Sequence, residues 1–106
     1  MSMNSSVKSC RDTLIVAMRA AERASDRRSI DVVSACLDVV EYLAHQPTAT
    51  IDSVDTALNV LQRADAEFES QPPRTQAIKA AFRKAVERLK EIREKTFTDQ
   101  TMPSIL

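Results

Sequence analysis

The side chains that could do chemistry in this 106-residue chain are few and scattered. His45 is the one histidine, and no second histidine or cysteine stands at a spacing that would complete a metal site with it. Asp38 and Glu41 lie three residues apart, so on a helix they would share a face, as general acid–base pairs do. Asp38 and Glu41 are fully explained as members of a solvent-exposed polar stripe. His45 is explained by its place near a helix C-terminus, where the helix dipole stabilises positive charge.

The composition argues against catalysis more broadly. Glycine is absent, and both the phosphate-binding loop and the nucleophile elbow require it. The two cysteines, Cys10 and Cys36, are too few for a disulfide scaffold or a zinc site. We expect each to be a small, buried, reduced residue, as is usual inside cells. The sequence therefore predicts no enzyme, no metal and no cofactor, and it leaves a binding surface as the functional feature.

The elements that would carry such a surface are helices. Hydrophobic periodicity predicts an all-α chain, a compact antiparallel bundle of four helices (or five at most) with no sheet. Tight hairpins need positive φ, which a chain without glycine adopts with difficulty. Residues 1–5 are predicted to be disordered, 6–97 to form the bundle domain and 98–106 to form a flexible tail. The predicted helices lie near 6–24, 29–46, 51–69 and 73–97.

The stretch 29–46 is predicted to be the central helix, because apolar residues cover more than half of its surface. Ser29 is expected to be its N-cap, Asp31 to lie in its first turn, and Pro47 to end it. Ser5 or Ser6 would cap the first helix, Thr48 or Thr50 the third, and Pro73 would open the fourth. The residues expected to be buried are Leu14, Val33, Cys36, Leu37, Val40, Leu43, Leu58, Leu61, Phe82 and Leu89.

Charge is laid out in blocks although the formal net charge is zero. Residues 29–70 carry a net charge of −7, residues 71–97 carry +5, and residues 1–28 carry +3. The simplest use of this pattern is packing of the basic fourth helix beside the acidic middle pair. A nucleic-acid face on the fourth helix is disfavoured, because the acidic neighbours would repel phosphates and no aromatic set accompanies the bases. No apolar run approaches the roughly 18 residues that a membrane span needs.

Two interhelical loops should meet at one end of an up-and-down bundle, the first between helices one and two and the second between helices three and four. The first supplies Arg27 and Arg28, and the second supplies Phe68, two prolines and Arg74. An apolar floor beside positive charge suits a short acidic peptide with one aromatic or aliphatic anchor. The residues predicted to contact a partner are Asp26, Arg27, Arg28, Ser29, Asp31, Phe68, Pro72, Pro73 and Arg74.

The stretch CLDVVEYLAHQPTAT, positions 36–50, resembles the second-helix region of the integrase-binding domain of lens epithelium-derived growth factor. It is similar also to the matching region of the N-terminal domain of transcription elongation factor S-II. The family pattern continues with a helix that ends like LNVLQR, positions 58–63, and with a basic last helix, here 77–97. The resemblance covers about positions 10–95.

The resemblance implies a four- or five-helix scaffold that acts in transcription, in the nucleus, by binding short disordered acidic or hydrophobic motifs. In the integrase-binding branch the ligand sits against two interhelical loops, which correspond here to positions 25–31 and 68–74. That branch uses an aspartate in the first loop; here Arg27 and Arg28 stand nearest to its place, and Asp26 is shifted from it.

Two other interpretations stay open. The chain could be a self-associating, dimeric structural module, because a small bundle has difficulty covering a central helix that is apolar nearly all round. It could also be a small helical adaptor or effector unrelated to transcription. In each case the predicted protein is intracellular, has protein partners and does not bind a membrane.

Overall fold

The chain forms four α-helices joined by short connections. The computed structural model describes residues 3–46 and 50–105, with side chains over 6–46 and 50–95. The helices are α1 (Met3–Arg23), α2 (Arg27–Ala44), α3 (Ile51–Ser70) and α4 (Gln76–Ile105). No strand occurs in the described ranges. The prediction of an all-α four-helix bundle is confirmed.

The helices pack as a ring in which each contacts its two neighbours. α1 packs against α2 and α4, and α3 packs against the same two helices from the opposite corner. Short connections between consecutive neighbours make these helices antiparallel. The contact between α1 and α4 is the most extensive and the contact between α2 and α3 the least. α1, and not the predicted central helix α2, therefore has the largest share of the packing.

The core is built from narrow stripes whose members alternate three and four residues apart. Most residues predicted to be buried are buried, namely Leu14, Val33, Cys36, Val40, Leu43, Leu61, Phe82 and Leu89. The prediction is wrong for Leu37 and Leu58, which are half-buried. Each follows directly after a member of the buried stripe, Cys36 or Ala57, and so lies at the edge of its helix's inner face. Both still pack against the core.

The start of α2 differs from the prediction. Asp26 is the N-cap, because its Oδ1 accepts the Ser29 N–H at 3.2 Å. Ser29 lies inside the first turn and Asp31 beyond it, so the roles predicted for both are wrong. At the other end His45 is the C-cap residue of α2, where the sequence placed it. Pro47 lies outside the described residues.

The connection between α1 and α2 ends α1 with a Schellman motif. Ser25 has φ of 53°, in the left-handed region that glycine usually fills. The Ser25 N–H donates to the Glu22 carbonyl at 3.1 Å, and the Asp26 N–H donates to the Ala21 carbonyl at 3.0 Å. The last carbonyls of α1 are satisfied in this way, and the chain turns directly into α2.

The bounds of the remaining helices are partly as predicted. α3 begins after Thr50, whose hydroxyl accepts the Ser53 N–H at 3.1 Å, which confirms Thr50 as the cap. Thr48 lies outside the described residues. α1 is helical from Met3, so Ser5 and Ser6 lie within it and do not cap it. The disorder predicted for residues 1–5 stays a prediction.

α4 begins later and ends later than predicted. It starts at Gln76 and not at Pro73, and the Thr75 hydroxyl accepts the Ile78 N–H at 3.4 Å. It continues to Ile105, past the predicted end at residue 97. The flexibility predicted for 98–106 stays a prediction.

The expected pairing of acidic and basic helices is found between α3 and α4. Arg93 bonds to Asp55 and Lys79 lies 3.2 Å from Glu69 across this contact. α2 does not share in it, because α2 lies diagonally across the bundle from α4. None of the helices in the described part of the chain combines the length and the apolar character that crossing a bilayer requires.

Candidate functional site at the paired interhelical loops

The two loops predicted to form the site are bonded to each other. The Arg74 N–H, from the connection between α3 and α4, donates to Asp26 Oδ2 at 2.8 Å. In the other direction Arg28 Nη2 donates to the Gln71 carbonyl at 2.7 Å. The expected juxtaposition of the loops therefore exists, and it is fixed by hydrogen bonds in both directions.

The Asp26 carboxylate is the centre of this connection. It accepts three hydrogen bonds, from the Ser29 N–H, from the Ser29 hydroxyl at 2.8 Å and from the Arg74 N–H. Burial acts to raise the pKa of this carboxyl, but the bonds from Arg74 and Ser29 outweigh burial, and the pKa lies below its ordinary value. The side chains of Asp26 and Ser29 are both buried, so they position the loops and offer no surface to a partner.

Arg28 closes the end of α3. Its guanidinium donates to the carbonyl of Gln71, the C-cap residue, and approaches at 3.5 Å the Glu67 carbonyl, which also accepts the Gln71 N–H. The same guanidinium lies 5.8 Å from the centre of the Phe68 ring, within range of a cation–π contact. Arg28 is thus a structural residue as well as a charged one.

The apolar floor expected from Phe68 is absent from the surface. Phe68 is fully buried and meets Phe82 edge to face, with 5.1 Å between ring centres. The periodicity of α3 placed Phe68 on the core stripe, and Arg28 covers the ring from outside. An anchor of a bound peptide would have to pack elsewhere on this end.

What the loop end does present is a cationic, proline-bearing surface. Arg27, Pro72 and Arg74 are exposed and Pro73 is half-buried. Asp31 is exposed too, but it lies beyond the first turn of α2. α2 and α4 both begin at this end, and neither has an acidic residue in its first turn. The Asp26 carboxylate already caps the N-terminus of α2, so α4 supplies the one positive helix end that no acidic side chain caps. That helix end and the two exposed guanidinium groups favour a negatively charged ligand.

A second cationic region on α4 is less available. An open depression there is lined by Gln76, Lys79, Ala80 and Arg83. Its cations are paired with α3, since Lys79 contacts Glu69 and Arg83 contacts both Asp65 and Glu69. Hydrogen bonds and charge from Lys79, and then from Arg83, lower the pKa of Glu69. The net charge of this region is accordingly smaller than its bases alone suggest.

The side chains considered for catalysis or metal binding, His45, Cys10 and Cys36, do not form a common site. His45 is exposed, with Nδ1 2.8 Å from the Glu41 carbonyl. Cys10 and Cys36 are free and buried, and burial raises the pKa of each thiol to about 12, so both stay protonated at neutral pH. Within the described residues no three metal-ligating side chains come together.

The exposure of Tyr42 was not predicted from the sequence. Tyr42 lies in the stretch that was interpreted as core, yet 69% of it is exposed. The hydrophobic pattern of α2 wraps so widely that it could not indicate which apolar residues the bundle leaves uncovered.

Comparison with known proteins does not extend this description. No protein-family model, no curated protein and no solved structure matches the chain. The resemblance to the elongation-factor and integrase-binding domains stays a prediction.

Proposed function

We propose that this protein is a non-enzymatic interaction scaffold whose loop end binds a short acidic motif of another protein. The observation that supports this most is the mutual bonding of the two loops through Asp26 and Arg28. These bonds join the two segments that carry the exposed side chains of Arg27 and Arg74 before any ligand arrives. Preorganised charge lowers the ordering cost of binding and speeds association.

The anchor of the motif packs on the prolines in this proposal. Phe68 is closed off, whereas Pro72 is exposed and Pro73 half-exposed beside Arg74. A single aromatic or aliphatic side chain lying on the two rings, with acidic residues on either side of it, would meet both the apolar and the cationic parts of the surface. Transcription complexes in the nucleus are the setting that the family resemblance implies.

A titration tests the surface directly. The probe is a short synthetic peptide of aspartates and glutamates around one phenylalanine, added to isotope-labelled protein. We expect amide shifts to cluster on residues 25–31 and 68–75. Reversing both exposed charges, Arg27→Glu with Arg74→Glu, should lower the affinity by about tenfold or more and reduce its salt dependence.

The matched control reverses two exposed positive charges on α4, away from the loop end. Lys84 and Lys90 are exposed on α4 and make no ion pair within the described residues. The double variant Lys84→Glu with Lys90→Glu should bind the peptide nearly as the parent does. Shifts centred on Lys79, Arg83 and Lys90, together with a larger loss in the control variant, would move the site to α4 and refute the loop-end surface.

A further inference from the structure

The connection between α3 and α4 is joined to the start of α2 by hydrogen bonds at both of its ends. We call its five residues, 71–75, the strap. Four of the five are exposed and the fifth is half-buried, so none is fully buried. At one end Arg28 Nη2 donates to the Gln71 carbonyl, and at the other the Arg74 N–H donates to Asp26 Oδ2. The position of Arg74 therefore depends on the direction in which the Asp26 carboxylate points.

Ser29 fixes the direction of that carboxylate. The terminal torsion of an aspartate side chain has broad preferences, so the carboxylate by itself rotates easily. Here one residue binds both oxygens, since the Ser29 N–H donates to Oδ1 at 3.2 Å and the Ser29 hydroxyl donates to Oδ2 at 2.8 Å. These two bonds restrict the rotation, and Oδ2 is held 2.8 Å from the Arg74 nitrogen.

The helix cap does not need the hydroxyl of Ser29. An N-cap aspartate acts through one oxygen that accepts a backbone N–H of the first turn, and the Ser29 N–H supplies that bond. Ser29 is fully buried, so its hydroxyl needs an acceptor inside the protein, and a serine in a helix often uses the carbonyl four residues back. The hydroxyl donates instead to Asp26 Oδ2, the atom that also binds the strap.

We propose that Ser29 is a positioning residue for the loop end, whose hydroxyl holds the strap in place by keeping Asp26 Oδ2 directed at the Arg74 N–H. Arg27 follows Asp26 directly in the chain, and Arg74 carries the N–H that Asp26 accepts. The contact therefore fixes the backbone of both exposed arginines relative to each other. Because no side chain of the strap is fully buried, loss of the contact should release the strap without unfolding the bundle.

The consequence for binding rests on the function proposed above. An acidic motif that contacts Arg27 and Arg74 together needs the two at a fixed separation. A released strap would have to be ordered when the motif binds, and that ordering lowers the affinity. The apparent affinity falls in proportion to the fraction of molecules in which the strap is held. Ser29 would thus control binding of a ligand that it does not touch.

Hydrogen exchange at the Arg74 amide measures the contact directly. The Arg74 N–H is the strap amide that Asp26 accepts, and Pro72 and Pro73 have no N–H at all. Ser29→Ala keeps the backbone bond that caps α2 and removes only the hydroxyl bond. We expect it to speed exchange at Arg74 by about tenfold, while the amides of α1 exchange as in the parent.

A double-variant cycle tests whether Ser29 acts through Asp26. Asp26→Ala removes the acceptor and should speed exchange at Arg74 at least as much as Ser29→Ala does. The variant with both changes should exchange no faster at Arg74 than Asp26→Ala alone, because the hydroxyl then has nothing to hold. The matched control is Ser34→Ala, which removes the hydroxyl of a half-buried serine further along α2 and should leave exchange at Arg74 unchanged.

A second measurement repeats the titration with the acidic phenylalanine peptide on Ser29→Ala and Ser34→Ala. The affinity should fall by about threefold or more in Ser29→Ala, because part of the binding free energy is then used to order the strap. Ser34→Ala should bind as the parent does. Since Ser29 is fully buried, a loss of affinity cannot come from a lost contact with the peptide.

The outcomes separate this proposal from the function on which its consequence rests. Unchanged exchange at Arg74 in Ser29→Ala would refute the contact, and so would exchange that rises equally in α1, since that would mean a loss of global stability. Faster exchange at Arg74 with unchanged peptide affinity would refute the positioning role and leave the proposed function standing. If the parent itself did not bind the peptide, the proposed function would fail, and exchange at Arg74 would still decide whether Ser29 holds the strap.

Discussion

At the scale of single residues, Asp26 makes the most connections at the loop end. Its carboxylate joins the turn after α1, the first turn of α2 and the chain just before α4. All three partners are donors, so an ionised carboxylate, which only accepts, suits the position. An asparagine would direct its own N–H₂ group at one of these donors. We infer that Asp26 sets the geometry of the candidate site without contacting a ligand.

The pH dependence of folding tests this role. Because the pKa of Asp26 is lowered by folding, its stabilisation is present above the ordinary value of 3.8 and is lost as the pH falls toward the folded-state pKa. Asp26→Asn should therefore reduce the free energy of unfolding by about 1–3 kcal/mol at pH 7. The difference between the variant and the parent should shrink as the pH falls from about 5 to 2. Urea denaturation at a series of pH values measures it.

Asp38→Asn is the matched control, because Asp38 is an exposed aspartate of the same helix. Its free energy of unfolding at pH 7 should lie within about 0.5 kcal/mol of the parent value. If the gap between Asp26→Asn and the parent stayed constant across the acid range, the charge of Asp26 would not be what holds the loops.

The role of Asp26 illustrates what the sequence could and could not predict at this scale. The segment SDRRS contains two good N-cap residues, Asp26 and Ser29, and cap preferences rank them equally. The choice is made by the Arg74 N–H, which needs an acceptor and is contributed by a loop 48 positions away. The residues around Asp26 do not indicate that donor. The sequence therefore predicts the connection between α1 and α2 but selects Ser29 and not Asp26 as the cap.

At the scale of elements, Arg28 joins the start of α2 to the end of α3. It bonds to two terminal carbonyls and covers the ring of Phe68. These contacts are local to the last turn of α3. Their loss should therefore loosen that turn more than the rest of the bundle.

Arg28→Ala should lower the free energy of unfolding by about 1–2 kcal/mol, from the lost hydrogen bonds and the lost cation–π contact. It should also speed amide hydrogen exchange at residues 67–71 more than in α1. Arg27→Ala is the control, because Arg27 carries the same charge one residue earlier and is exposed. Equal exchange rates in the two variants would mean that Arg28 does not hold the end of α3.

The element boundaries show where sequence patterns were reliable. The start of α3 was predicted as one of two alternatives, and Thr50 is the cap, whereas Leu58 lies at the edge of the apolar stripe and not within it. The start of α4 was placed at Pro73, since proline is common in a first turn. The Arg74 N–H instead donates to Asp26. α4 begins only after Thr75, whose hydroxyl accepts the Ile78 N–H. A tertiary contact thus displaced a boundary that local preference allowed.

At the scale of the whole molecule, topology was predictable and the distribution of burial was not. Short connections and amphipathic helices fix an antiparallel ring, and the charge blocks indicated the contact between α3 and α4. Which helix is covered best depends on how the four axes are arranged. α2 looked the most apolar, yet α1 packs more extensively and α2 keeps Tyr42 in water.

The difference between predicted and actual burial leads to a test on global stability. Leu61 is fully buried, whereas Leu37 is half-buried although its sequence context looks equally apolar. Leu61→Ala should cost about 2–5 kcal/mol, because it removes a packed side chain and leaves a cavity. Leu37→Ala should cost only about 1–2 kcal/mol, because part of that side chain is already in water. Since domains of this size are stable by about 5–15 kcal/mol, urea denaturation resolves the two. If Leu37→Ala proved as destabilising as Leu61→Ala, Leu37 would belong to the core and not to the edge of the inner face of α2.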